Sequence, residues 1–233
     1  KNTQNDFFFL CRRAPDRLVQ TVVELCRQRL PNNMGIPAEQ IQVLSPTRKG
    51  VCGTVNLNRA LQAALNPPAA GKRQKLWGDM VFREGDRVMQ TRNNYDVVWE
   101  KDDGAMGAGI FNGDVGVIQE IDPSGELITI QFDDRTCVYT ADLLNQLDMA
   151  YAMTVHKAQG SEYRCVVLVS AAVAPALMVR GVLYTAITRA RELLVLVGDD
   201  VAPGQMAAND RQQRRYSGLR RRLREEAANH GME

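Results

Sequence analysis

Apolar positions change their spacing along this chain, and each change predicts a different kind of element. The run DFFFLCR near the N-terminus is short and continuously apolar, which predicts a strand. Leu18, Val22, Val23, Leu25 and Cys26 then share one face of a helix that Asp16 can cap, and Pro31, Asn32, Asn33 and Gly35 end it. IQVLS predicts a second strand, closed by Pro46. After the loop PTRKGVCGT, a helix runs through Val55, Leu57, Leu61 and Leu65 and stops at NPP. Strands alternating with helices argue for a mostly parallel sheet.

The spacing changes after about Lys75. DRVMQT, GDVGVIQEID, ELITIQFD and RTCVYT are short strand-like runs, separated by turn chemistry such as Asn112-Gly113 and Pro123-Ser124-Gly125. No helix pattern comes before TADLLNQL. Strands this short and this regularly spaced predict a small antiparallel barrel. Between them, VVWEKDDGAMGAG is glycine-rich and charged, and reads as a mobile loop. The α/β pattern then returns. LDMAYAM and CVVLVS predict strands, Leu177 to Ala190 a helix with Leu183, Ile187 and Ala190 facing the core, and LLVLVG a last strand. The chain thus divides into an α/β domain at 1–82 and 148–202, an all-β insert at 83–147, and a basic helical tail at 203–233.

Composition changes this picture little. The 233 residues suffice for one large domain or two small ones, and 45% hydrophobic with 24% charged residues is ordinary for a soluble globular protein. No apolar run is long enough for a membrane helix. The first residue is Lys1, so a fragment of a longer protein is expected. Five scattered cysteines, odd in number and without C-x-x-C spacing, argue against a disulfide framework and against a metal site. Buried free thiols are expected instead, and with them a reducing, cytoplasmic setting. A net charge of +2 neither demands nor excludes a nucleic-acid partner.

Three clusters carry candidate chemistry. In TVHKAQGSE, Thr154 suits the N-cap of a short helix with Gly160 at its stop. Helix N–H groups beyond a central strand would attract a phosphate, with Thr154 and His156 facing the anion and Glu162 free to bond a sugar hydroxyl. A capped surface turn explains the same residues. In LYTAITRAR, Arg189 closes a helix just before a buried strand. Its guanidinium suits phosphate oxygens, or, with Arg191, the helix C-terminal dipole. In VLSPTRKG, Thr47, Arg48 and Lys49 suit a nucleic-acid backbone or a solvated loop. The glycines of GAMGAGIFNGD are followed by no Lys-Ser/Thr and no helix, so they are not a phosphate loop. The tail NDRQQRRYSGLRRRLREE suits either a nucleic-acid backbone or a solvated helix face, and His230 near its end is uninformative.

Together and in this order, these segments resemble a known family. AMTVHKAQGSEY followed by LYTAITRAR looks like the fifth and sixth motifs of superfamily-1 helicases, in the RecD-like group of ATP-dependent DNA helicases, the family of the exodeoxyribonuclease V alpha subunit. VLSPTRKGVCGTVNLNRALQAALNP, FREGDRVMQTRNNYD, FNGDVGVIQEID and RQQRRYSGL resemble further segments of that group. The resemblance implies a second RecA-like motor domain of the P-loop NTPase type, interrupted by an SH3-like barrel. It implies an arginine finger at Arg189 on the γ-phosphate of ATP, with Gly160 and Glu162 lining the nucleotide. Thr154 and His156 would hold single-stranded DNA, Thr47 and Arg48 its backbone, and Asn93, Asn94 and Tyr95 would contact it from the insert. It further implies 5′ to 3′ movement, and as partners the protein's own first motor domain and the subunits of a nuclease complex. VVWEKDDGAMGAG is longer than that group's usual link.

No G-x-x-x-x-G-K-[ST] and no Walker-B acidic pair occurs. ATP and Mg²⁺ are therefore expected mainly on a first motor domain outside this sequence, and the chain alone is expected to be inactive. Two rivals remain. The insert could be an autonomous nucleic-acid or protein adaptor, with Tyr95 or Trp99 stacking on bases, or the arginine-rich tail could dock a partner subunit.

Overall fold

The computed structural model describes residues 5–171, 177–210, 222–224 and 226. The chain opens with β1 (Phe7–Cys11) and α1 (Pro15–Glu24), which passes through a π-helical turn at Leu25–Arg29 into α2 (Leu30–Met34). Two expectations change here. Asp16 is not the cap, because the N-cap is Ala14 and Pro15 opens the helix. Pro31 does not end it either. The wider turn lets the Leu30 N–H reach the Leu25 carbonyl, so Pro31 falls at the start of α2, where a missing N–H costs nothing. The stop is Gly35, left-handed at φ 64°.

β2 (Ile41–Ser45) is buried throughout, and α3 (Thr54–Leu65) follows it. A separate hairpin, β3 (Gln74–Trp77) and β4 (Met80–Arg83), precedes the insert proper. The insert contains β5 (Arg87–Gln90), β6 (Asn94–Glu100), β7 (Met106–Ile110), β8 (Val115–Ile121), β9 (Leu127–Phe132) and β10 (Arg135–Thr140). A 3-10 helix at Ala141–Gln146 leads to its last strand, β11 (Leu147–Met149). The chain closes with β12 (Ala152–Thr154), β13 (Tyr163–Ser170), α4 (Arg180–Ile187), β14 (Ala190–Gly198) and α5 (Ala202–Ala208).

Two sheets result. One is five-stranded and parallel, in the order β1-β14-β13-β2-β12. The other is seven-stranded and antiparallel, in the order β11-β5-β8-β9-β10-β6-β7. The expected barrel is an open sheet rather than a closed one, with β11 and β7 at its two ends. Its inner face, including Ile118, Ile128, Ile130, Phe132 and Tyr139, joins one buried cluster with Leu18, Val22, Leu57 and Leu61 of the α/β part. Within that inner face Phe132 and Tyr139 pack on each other, with ring centres 6.1 Å apart. Each such fully buried side chain contributes roughly 1.5–3 kcal/mol.

VVWEKDDGAMGAG is not a mobile loop. It is the β6–β7 hairpin, turned between Lys101 and Ala105. Its glycines serve packing: a Cβ on Gly107 would lie 2.3 Å from the Trp99 ring. The Lys101 ammonium sits 5.8 Å from the centre of that ring and bridges Asp134 at 2.8 Å.

LDMAYAM is not one strand but two. β11 pairs with β5 in the antiparallel sheet, and β12 pairs with β2 in the parallel one. The chain changes sheets at Ala150 and Tyr151, both buried. α4 is shorter than expected and rests on Val182 and Ala186, with Leu183 and Ala190 only half-buried and Ile187 exposed. Cys26, Cys52, Cys137 and Cys165 are buried free thiols as expected, but Cys11 is exposed at the end of β1. Most of the basic tail, and His230, lie outside the described residues. Among the described residues no helix is long and apolar enough to cross a membrane.

Candidate nucleotide and nucleic-acid site

The loop after β2 folds back on itself. The Ser45 hydroxyl donates to the Cys52 carbonyl at 2.8 Å and accepts the Thr47 N–H at 3.3 Å. Gly53 is required for this turn, because a Cβ there would lie 2.4 Å from the Lys49 carbonyl oxygen. The turn leaves Arg48 and Lys49 exposed, and Arg48 pairs with Asp148 of β11 at 3.3 Å. Thr154 ends β12 level with Ser45, so Thr47, Arg48 and Thr154 gather at the carboxyl edge of the parallel sheet.

From Thr154 the chain must return to the opposite edge to begin β13, roughly 20 Å away at the usual strand rise. Residues 155–162 make that crossover as a series of hydrogen-bonded turns, in which the Thr154 carbonyl accepts from the N–H groups of Lys157 (3.0 Å) and Ala158 (3.2 Å). Val155 and Ala158 point into a buried cluster with Leu44, Met153 and Val166, which fixes the path. His156, Gln159, Gly160 and Glu162 face outward.

This corrects the expected short helix capped by Thr154. The crossover has too far to travel in too few residues to spend them on helix, and β12 is an edge strand rather than a central one. No helix N-terminus is therefore available there to cradle a phosphate. Gly160 does adopt the left-handed conformation, at φ 87°.

At the amino edge, β13 and β14 start side by side, with Tyr163 opposite Ala190. Arg189 lies just before β14, and its carbonyl accepts the Tyr163 N–H at 2.8 Å. Its guanidinium is half-buried and donates to three neutral oxygens: from Nε to the Thr185 carbonyl (3.1 Å), from Nη1 to the Ser161 carbonyl (3.0 Å) and from Nη2 to the Thr188 hydroxyl (3.1 Å). No carboxylate pairs with it among the described residues. Gly160, Glu162 and Arg189 are thus brought together at one edge, while Thr47, Arg48 and Thr154 lie at the other.

His156 lies between the two groups. With Lys157, Gln159, Gly160 and Ser161 it lines a cleft of about 510 Å³ whose far wall is the insert turn Asn112, Gly113 and Asp114. Asn93 supports that wall, because its Oδ1 accepts the Asn112 N–H at 3.0 Å. Asp114 is held by Arg135 at 3.1 Å. Beside the turn, Tyr95 and Phe111 form an exposed edge-to-face pair with ring centres 5.6 Å apart. Sequence reasoning took Asn112-Gly113 only as a turn and gave no role to Lys157, Gln159 or Ser161. The one available signal was their position within the same polar stretch as His156.

Burial pushes the Cys165 thiol up to about 12, so it is an inert core residue behind the site. Burial likewise raises the Tyr163 hydroxyl. Among the described residues no group of three or more His, Cys, Asp or Glu side chains could hold a metal ion.

Two families match this chain. Residues 57–132 match the ATP-dependent RecD-like DNA helicase SH3 domain, and residues 149–197 match the UvrD-like helicase C-terminal domain. Among whole proteins, the chain is 36% identical over 184 residues to the ATP-dependent RecD2 DNA helicase of Deinococcus radiodurans, covering 79% of this chain and 23% of that protein. It is 31% identical over 186 residues to the RecBCD enzyme subunit RecD of Mycolicibacterium smegmatis, covering 80% of this chain and 30% of that protein. The chain therefore spans between a fifth and a third of the length of these relatives. Among solved structures, the Pif1 helicase from Bacteroides in complex with ADP-AlF3 and ssDNA matches at 15% identity with a TM-score of 0.46, over 94% of this chain and 51% of that one.

Proposed function

Because this chain is homologous to the RecD-like helicases over most of its length, we propose that it is the second motor domain of an ATP-dependent 5′–3′ DNA helicase. One observation carries the reading. The crossover 155–162 joins two separate polar edges of a single sheet, and the Arg189 guanidinium is bonded to its far end at Ser161. One edge suits a nucleotide and the other a nucleic-acid strand. A shift in Arg189 on meeting a phosphate would pull on the segment that carries His156 and Thr154. Such a connection makes the grip on DNA depend on the state of the nucleotide.

Arg189 is the arginine finger in this reading. Its charge is permanent and has only neutral partners, so it is available to charge developing on a transferred phosphoryl group. Gly160 and Glu162 line the nucleotide beside it. ATP supplies the phosphoanhydride whose cleavage drives movement. Among the described residues no carboxylate cluster could hold Mg²⁺; in this reading a first motor domain supplies the metal and most of the phosphate contacts, and the chain alone is expected to be inactive. Thr47, Arg48, Thr154, His156 and Asn93 form the track for single-stranded DNA. Subunits of a nuclease complex are further candidate partners.

The test is binding of a fluorescent oligo(dT) to the wild-type chain and to a Thr154→Ala/His156→Ala variant. The reading expects a several-fold weaker complex in the variant. Undiminished binding would transfer the DNA contact to the insert, where Tyr95 and Phe111 offer stacking surfaces, and would favour a nucleic-acid-binding module over a motor.

A further inference from the structure

Two stretches of chain join the antiparallel insert to the parallel-sheet domain, and one buried carboxylate is bonded to both. The outgoing stretch leaves α3 at Asn66. The returning stretch passes from β11 to β12 through Ala150 and Tyr151. Asp86, fully buried just before β5, accepts from Asn66 Nδ2 at 2.7 Å and from the Tyr151 hydroxyl at 2.9 Å. Gln62 Nε2 of α3 (2.6 Å) and the Arg83 main-chain N–H (2.7 Å) complete its shell. The two amide nitrogens and the main-chain N–H can only donate and the Tyr151 hydroxyl can donate too, which suits an ionised carboxylate: burial raises the Asp86 carboxyl, and these bonds act against that rise.

The surroundings extend the same fastening. Arg83 is itself buried and donates from Nη1 to the Asn66 carbonyl at 2.5 Å, while Lys72 donates to the Asn66 side-chain oxygen. On the returning stretch, Asn58 of α3 accepts the Ala152 N–H at 2.7 Å and donates to the carbonyls of Met149 (3.0 Å) and Ala152 (2.8 Å). Gln42 of β2 donates to the carbonyls of Ala150 (3.3 Å) and Tyr151 (3.2 Å). Arg87 of β5 reaches across to Gln42 Oε1 at 3.1 Å. Side chains from the α/β domain thus take the hydrogen bonds that neither sheet supplies where the chain changes sheets.

A buried charge held by neutral donors is a poor source of stability compared with apolar packing of the same volume, whereas it constrains geometry closely. We infer that Asp86 is a positioning residue that locks the insert at one angle on the parallel-sheet domain. It thereby fixes the separation of Asn112–Asp114 from His156–Ser161 across the cleft. The lock stands on geometry alone; its consequence for DNA rests on the proposed function.

Spin labels test the lock directly. In a Cys11→Ser background, one pair places a label on the insert at Leu127 and another on α4 at Tyr184, both exposed positions. A control pair at Tyr184 and Val55 lies within the α/β domain. Wild type should give a narrow Leu127–Tyr184 distance distribution. Asp86→Asn and Tyr151→Phe should each broaden it about twofold and leave the control pair narrow. Unchanged widths in both variants, or equal broadening of the control pair, would overturn the inference. If Asp86→Asn fails to fold, Tyr151→Phe decides alone, because it removes one hydroxyl and keeps the ring. Oligo(dT) binding is measured on the same samples, and a several-fold loss is expected where the distribution broadens. Failure of the wild type to bind DNA would count against the proposed function and leave the distance result to judge the lock.

Discussion

Arg189 donates from Nη1 to the Ser161 carbonyl at 3.0 Å, and this bond joins the end of α4 to the crossover that starts at Thr154. The two residues are 28 positions apart in sequence and meet at the amino edge of the parallel sheet. A single short segment therefore connects the position of a guanidinium to the position of a polar group on the opposite edge.

The crossover keeps its path partly through Gly160, at φ 87° with open space around its Cα. An alanine there meets no neighbour, but it must adopt a left-handed backbone. Gly160→Ala is expected to cost about 1–2 kcal/mol, read as a lower urea midpoint at unchanged slope. It should also weaken oligo(dT) binding, because His156 sits on the same segment.

Arg48 is already engaged by Asp148, in a pair 62% and 24% exposed. Such a pair is worth less than about 1 kcal/mol, so Asp148→Asn should barely change the melting temperature. It should free Arg48 for phosphate and tighten oligo(dT) binding at low salt, with the gain fading as ionic strength rises. Titrations at two salt concentrations measure both effects.

Acid sensitivity should include a share from the β8–β9 turn. The Ser124 hydroxyl and the Leu127 N–H hold the Asp122 carboxyl down from 3.8 to about 2. A depressed folded-state value means that this contribution is fully present above the ordinary aspartate range and is lost as pH falls from about 4 towards 2. Urea midpoints across that window should fall more steeply for wild type than for Asp122→Asn.

The sequence was legible where one sheet or helix face decided the pattern. IQVLS, CVVLVS and LLVLVG are continuous apolar runs because β2, β13 and β14 are covered on both faces. The alternation in ELITIQFD and RTCVYT likewise marked β9 and β10. LDMAYAM misled because both sheets ask for apolar residues, so its periodicity carries no mark of the change between them. The residues that fasten that change, Asn58 and Gln42, lie 91 to 109 positions from their partners. Glycine content concealed the β6–β7 hairpin, since Gly107 is there to accept an indole rather than to loosen a loop. At the site, residue types pointed to Arg189 and His156, but no local signal could show that the crossover has two ends on opposite edges.

The most direct measurement of the central claim joins this chain to the proposed first motor domain and compares DNA-stimulated ATP hydrolysis of wild type, Arg189→Lys and Arg189→Ala, with nucleotide binding measured alongside. The account predicts turnover lower by on the order of 10³-fold in Arg189→Ala and a large loss in Arg189→Lys, which keeps the charge but not the fork, with binding largely retained in both. Unchanged turnover in Arg189→Ala would make Arg189 a structural tie between α4 and Ser161, and would contradict the motor assignment of this site.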